Sequence, residues 1–188
     1  MTTTMIKPTK GRLLVSVPFL NDQFFGRSVV LITEHNEEGS VGLIINKPLS
    51  TAIGEAIKDF SDFNTNLHMG GPVEANSLFY LHTKADLIEG SVKVMENLYW
   101  GGNFESVKAM IENKQIAPEE IKFFVGYSGW GPNQLDEELK RKSWIVTKAK
   151  VDKIMEPNLD SYWKDNLNDS NKKEYSVWAN YPVNPSLN

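Results

Sequence analysis

The residue types best suited to chemistry fall in one run, Gly126-Tyr127-Ser128-Gly129-Trp130, where a hydroxyl stands between glycines behind an apolar strand pattern. A strand, turn and helix in that order is the setting in which an α/β-hydrolase presents its nucleophilic serine. Two features argue against that use. The fifth position is Trp130 where the nucleophile elbow needs glycine, and His35, His68 and His82 all precede Ser128, whereas that fold places its histidine after the serine. The run fits a structural part better: glycines allow a tight turn, Trp130 covers one end of a core, and Pro132 opens a helix at its first position. It also offers a ligand site, because a helix N-terminus has free N–H groups and Tyr127 and Trp130 can stack on a small molecule or peptide. In that reading Gly70-Gly71-Pro72 forms the opposite wall, and Asn46, Lys47, Ser128 and Gln134 supply polar contacts. An enzyme with a pocket near Gly70 and Gly126 is a further alternative.

Other chemistries find less support. Glu34, His35, Glu37 and Glu38 are metal-ligating types, but they fall in a hairpin loop where charges are solvated, and no histidine pair is spaced for one helix face. His68 and His82 lie beside apolar strands and read as satisfied core or edge histidines. Neither a P-loop nor a G-x-G-x-x-G is present, so no nucleotide cofactor is expected, and none of another kind is indicated. The chain has no cysteine, which excludes disulfides, thiolate metal sites and a cysteine nucleophile.

A formal charge of −4 disfavours a partner bound through its phosphates. Locally, Lys140, Arg141, Lys142, Lys148, Lys150 and Lys153 outnumber Asp152 over residues 140–153. Glu137 and Glu138 stand immediately upstream, and no helix-turn-helix or zinc-finger pattern accompanies the stretch, so direct DNA binding is the minority reading. The longest aliphatic runs, over 29–32 and 41–45, fall well short of the ~18 apolar residues of a membrane span. The apolar segment Leu13 to Leu20, behind Lys7, Lys10 and Arg12, is interrupted by Pro18 and is followed by no small-x-small cleavage pattern. It reads as the first strand of a cytoplasmic protein.

The elements that would position these residues follow from periodicity. A chain of 188 residues with nine Phe, six Tyr and five Trp has core material for one domain. Residues 1–10, polar and Thr-rich, are expected to be mobile, leaving a domain over 11–188. Strands are expected over 12–17, 28–34, 41–46, 77–82, 92–95, 121–127 and 143–147, the second and third joined by a Gly39-containing turn. Ile53, Ala56, Ile57 and Phe60 have helical spacing and predict a helix over 50–60 capped by Ser50 or Thr51. Asn103 caps a second helix carrying Phe104, Val107 and Ile111, a third surrounds Leu135 and Leu139, and Leu159, Tyr162, Trp163 and Leu167 mark a fourth. Consecutive strands with helices inserted irregularly give α+β rather than a doubly wound sheet.

Several segments, in order, carry a resemblance: Gly11-Arg12-Leu13-Leu14 with Pro18 and Phe24, Arg27-Ser28-Val29-Val30-Leu31, Val41-Gly42-Leu43-Ile44-Ile45-Asn46-Lys47-Pro48, and Gly70-Gly71-Pro72-Val73. Leu81-His82, the 126–130 run with Gln134-Leu135 and Glu138-Leu139, Trp144, and the closing Pro185-Ser186-Leu187-Asn188 complete it. Together they resemble the YqgE/AlgH family of bacterial proteins. The resemblance implies a single α+β domain with a mixed, mostly antiparallel, partly coiled or bifurcated sheet and flanking helices. It also implies the role commonly attached to that family, regulation of transcription, acting through a protein or small-molecule partner. The chain beyond Trp144 follows the pattern loosely, so no partner surface is carried over there.

Overall fold

Strands dominate because the aliphatic runs are buried on both faces. In the computed structural model, which describes residues 6–170 and 173–180, Leu13, Leu14 and Val15 are fully buried, as are Val29 to Ile32. Successive side chains of a strand point to opposite faces. Leu13, Val15, Val29 and Leu31 enter one core cluster, while Leu14, Val30 and Ile32 enter another, under Trp130, Leu135 and Trp144.

The strands are β1 Arg12–Ser16, β2 Val29–Asn36, β3 Gly39–Ile44, β4 Pro48–Ala52, β5 Asn66–Met69, β6 Val73–His82, β7 Val92–Met95, β8 Leu98–Trp100, β9 Ile121–Trp130 and β10 Trp144–Lys148. They form a ten-stranded sheet in the order β10-β1-β2-β3-β9-β6-β8-β7, with β5 added to β9 and β4 added to β5. Strand β9 is where the sheet divides. Its residues 128–130 pair antiparallel with β3, its residues 123–125 pair parallel with β5, and β6 pairs with it over both halves. The sheet also coils: β7 touches β2 and comes back against Gly11, whose lack of a side chain at φ +79 lets the Val94 carbonyl approach. The α+β architecture with a bifurcated, partly coiled sheet is therefore as expected.

The helices are α1 Ile53–Ala56, α2 Phe104–Glu112, α3 Gln134–Lys140, α4 Val151–Met155, α5 Tyr162–Asn168 and α6 Lys173–Ala179. Asn103 caps α2 by accepting the Ser106 N–H at 3.0 Å. Helix α5 docks through Trp163, whose indole N–H donates to the Ser16 carbonyl at 2.8 Å.

Three local expectations are corrected. The helix over 50–60 is instead β4, one turn of α1 and a 3-10 turn at Lys58–Phe60. The pairing of Ala52 with Asn66 extends the first part, and the chain folds back tightly on Gly54, where a Cβ would lie 2.8 Å from the Phe60 carbonyl. The hairpin turn is shorter than expected, because Asn36 pairs with Gly39 and only Glu37 and Glu38 remain between the strands. The glycine-rich run at 126–130 is strand throughout, and α3 begins at Gln134 behind Asn133 at φ 60, so Pro132 does not open it. The motif Pro185 to Asn188 and residues 1–5 of the expected mobile segment lie outside the described residues.

Candidate functional site

Four of the residues singled out in the sequence, Gly70, Gly71, Tyr127 and Ser128, meet at the division of β9, backbone against backbone. Gly70 donates its N–H to the Val125 carbonyl, and its own carbonyl accepts from Ile44 N–H at 2.9 Å and from Ser128 Oγ at 3.0 Å. A Cβ on Gly70 would sit 2.2 Å from the Gly126 carbonyl oxygen, and one on Gly71 would sit 2.3 Å from the Tyr127 carbonyl. Gly126 itself is at φ +68, a conformation that favours glycine. Ser128 is fully buried. The glycines are required for three strands to touch, and the space between them is filled by main chain.

The remaining predicted contacts are also engaged in the fold. Asn46 Oδ1 accepts the Val29 N–H at 2.8 Å and its Nδ2 donates to the Arg27 carbonyl at 3.0 Å, bracketing the β1–β2 connection. Lys47 Nζ donates to the Phe24 carbonyl of the same connection; partial burial lowers its pKa, and Asp22 opposes this. Half-buried Tyr127 stacks edge-on against Phe79. Trp130 and Trp144 both donate their indole N–H to Glu138 Oε2, at 2.9 and 2.7 Å, with Phe25 packed against both rings. Gln134 is exposed, accepting from Gly131 N–H and donating to Glu138 Oε1. Thus Gly70, Gly71, Tyr127 and Ser128 are brought together, while Trp130 and Gln134 belong to a separate tryptophan–glutamate clasp.

His82 is a satisfied core histidine. Its Nδ1 accepts the Lys84 N–H at 3.2 Å, so in the neutral ring Nε2 carries the proton and donates to the Gly101 carbonyl at 3.1 Å. That tautomer cannot take a proton from Ser91 Oγ, 3.0 Å from Nε2, and the Ser91 hydroxyl donates to the Ile88 carbonyl instead.

His68 departs from the expectation of a satisfied ring. It is 4% exposed and its Nδ1 is buried with no hydrogen-bond partner among the described residues. Burial and the Lys122 charge push its pKa down to about 4, against weaker support for the charged ring from the Phe123 and Asn66 backbone. Lys122 shares the Phe124 face of β9 and is 3% exposed. Its ammonium donates to the Ile154 and Glu156 carbonyls, each at 2.8 Å, and burial lowers its pKa to about 8. Both residues line a cavity of about 210 Å³ with Asn64, Thr65, Asn66, Glu119 and Met155. The sequence did carry a signal for this place: a lysine inside the apolar strand Ile121 to Val125 must be buried with partners.

A second concavity, of about 310 Å³, lies between the β2–β3 hairpin and the start of α3, lined by His35, Glu37, Ser40, Asn133 and Asp136. His35 Nδ1 is 2.8 Å from Ser40 Oγ. The described residues contain no group of three or more His, Asp or Glu that could hold a metal ion. None of the described helices is long and apolar enough to cross a membrane. The basic stretch is exposed but divided: Lys140 pairs with Glu137 at 2.8 Å, Arg141 and Lys142 form the turn after α3, Lys148 ends β10 and Lys150 precedes α4.

The AlgH-like family model matches residues 13–174, and the chain belongs to that family. A UPF0301 protein of Bacteroides fragilis is 42% identical over 97% of this chain and 93% of its own length. One from Cytophaga hutchinsonii is 40% identical over 96% and 99%. Among solved structures, the AlgH protein of Pseudomonas aeruginosa superposes with a TM-score of 0.70 at 21% identity, covering 96% of this chain and all of the other. A Corynebacterium diphtheriae protein superposes at 0.77 with 22% identity and 94% coverage of both chains. These two likenesses show the fold.

Proposed function

We propose that this AlgH-like protein is a cytoplasmic regulator of gene expression, folded as one unit over 11–188, that works through a small-molecule or protein partner rather than through catalysis or direct DNA contact. One contrast carries the reading. The hydroxyl and imidazole that catalysis would use, Ser128 and His82, are committed to internal hydrogen bonds, whereas the cavity at His68 and Lys122 keeps unmet hydrogen-bonding capacity in its wall. The pairing of Lys140 with Glu137 and of Lys153 with Glu156 weakens the local positive field that phosphate contact needs.

The test is transcript profiling of a deletion strain complemented with wild-type protein, with the Lys142→Glu, Lys150→Glu double variant, or with Ser128→Ala. Deletion is expected to change a defined set of transcripts, and all three complements to restore it. An unchanged profile on deletion defeats the regulatory reading. Restoration by wild type but not by the charge-reversed protein transfers the role to direct DNA binding. Loss of restoration by a folded Ser128→Ala protein revives an enzyme.

A further inference from the structure

Lys122 is a buried cation whose hydrogen bonds among the described residues go to backbone carbonyls alone. The nearby carboxylates have other partners: Glu156 pairs with Lys153 at 2.6 Å and Glu120 with Lys84 at 2.7 Å. Glu156 attracts the Lys122 ammonium through space without pairing directly with it, and a buried ammonium so weakly countered destabilises the fold unless something further compensates it. Two of its three N–H groups go to the Ile154 and Glu156 carbonyls, which leaves one for the cavity it lines. His68 brings a second polar group to the same wall, with an unpartnered ring nitrogen and more than nine-tenths of its surface buried. Asn64, Thr65 and Asn66 add amide and hydroxyl groups, and the one carboxylate in the lining, Glu119, is exposed. The cavity volume of about 210 Å³ lies below the roughly 300–1,000 Å³ of common ligand pockets, which restricts an occupant to a few heavy atoms.

We propose that the cavity between β5, β9 and the chain after α4 binds a small oxyanion, a carboxylate or a phosphate, through the Lys122 ammonium and the His68 ring. The anion supplies a directly paired countercharge inside the cavity, and the charge-assisted hydrogen bond from Lys122 is the principal contact. This site gives a place and a ligand class to the small-molecule arm of the function proposed above and rests on that reading for its biological meaning only. Anion binding and transcript control are measured separately, so either fails without the other.

The experiment is an NMR titration of the isotope-labelled full chain at neutral pH and constant ionic strength, with sodium phosphate, acetate and succinate as separate probes. At least one probe is expected to give saturable shifts confined to residues near 64–68, 119–123 and 154–157. Preference for phosphate over both carboxylates identifies a phosphate-type ligand; the reverse order identifies a carboxylate. Lys122→Met should weaken binding roughly tenfold or more, the loss of one charge-assisted hydrogen bond. Glu119→Gln, at an exposed position, should tighten it about twofold by removing a like charge. Non-saturating shifts with every probe, or a Glu119→Gln protein that binds no better, overturn the proposal. Should Lys122→Met not fold, the wild-type Lys122 side-chain resonance decides: a saturating anion must raise its titration midpoint, and an unmoved midpoint overturns the site. The titratable groups around that ammonium are His68 from β5, neutral at this pH, Glu119 in the same cavity lining from the turn before β9, and Glu156 after α4, whose charge acts on it directly.

Discussion

The two ends of β9 solve opposite problems. At residues 126–130 main chain approaches main chain so closely that side chains are excluded at Gly70, Gly71 and Gly126, and the Ser128 hydroxyl is sealed inside with a carbonyl partner. At residues 121–122 the same strand leaves a cavity, a cation hydrogen-bonded to carbonyls, and beside it an imidazole with a nitrogen unpartnered among the described residues. The first end holds the conspicuous motif and the second holds none. A glycine-rich motif here records main-chain approach, whereas the unmet polar capacity sits where a single lysine interrupts an apolar strand.

The strongest way to break this contrast is Gly70→Ala. A Cβ there would lie 2.2 Å from the carbonyl of Gly126 inside β9, and Gly70, directly after β5, is fixed by hydrogen bonds at both its N–H and its carbonyl. Overlap with rigid backbone at a fully paired junction is expected to cost on the order of 4 kcal/mol or to abolish folding. Denaturant unfolding checks this. A loss below about 1 kcal/mol would show that the junction yields and that the glycines are there for another reason.

Proton linkage probes the other end. His68 has its folded pKa depressed to about 4 from 6.5, so the native state disfavours the charged ring. Its contribution is complete above pH 6.5 and is lost as the pH falls from 6.5 to about 4, by roughly 3 kcal/mol, with His82 adding in the same direction. Lys122, depressed to about 8 from 10.5, makes stability rise across that higher window by a similar amount. Tyr80, raised to about 12, opposes this above pH 10. Urea unfolding at several pH values should therefore show a rise between pH 8 and 10 that Lys122→Met removes. If the rise persists in that variant, the cavity cation is not its source.

The same contrast explains what was legible in the sequence. Runs such as Val29 to Ile32 announce strands because β-branched residues buried on two faces leave no other reading, and Asn103 before Phe104 announces α2 through its side-chain acceptor. Strands β4, β5 and β8 were not legible, because their strand character comes from partners: β4 carries a helix-like spacing into residues 53–60, and β5 pairs with β9, far along the chain. Glycines at 126 and 129 favoured a turn, since sequence alone does not distinguish a glycine that bends the chain from one that admits another strand. The cavity was not legible because Lys122 belongs to no motif or charge patch, and its burial depends on the carbonyls of Ile154 and Glu156 from a segment with little periodicity.

The closed end of β9 extends to Trp130, and the Glu138 clasp sharpens how much of that closure is polar. Glu138→Ala strands two indole N–H groups on tryptophans that are each 5% exposed. The expected loss is about 2 kcal/mol, with a shift in tryptophan fluorescence as the rings of Trp130 and Trp144 relax. Unchanged stability and fluorescence would mean that Phe25 and the apolar contacts alone hold this edge.

Ser128→Ala is the smallest change and the most direct comparison of motif with function. The hydroxyl donates to a Gly70 carbonyl that also accepts from Ile44, so removing it leaves no unpaired group behind. The alanine methyl occupies nearly the same volume in a fully buried position. The expected cost is about 1 kcal/mol, the net worth of one neutral hydrogen bond, with anion binding at Lys122 unaltered because the two places lie at opposite ends of β9. A stability loss of that size with unchanged NMR titration curves assigns the motif serine to the fold. A folded variant in which anion affinity falls severalfold would instead show that the junction and the cavity are coupled through the strand they share.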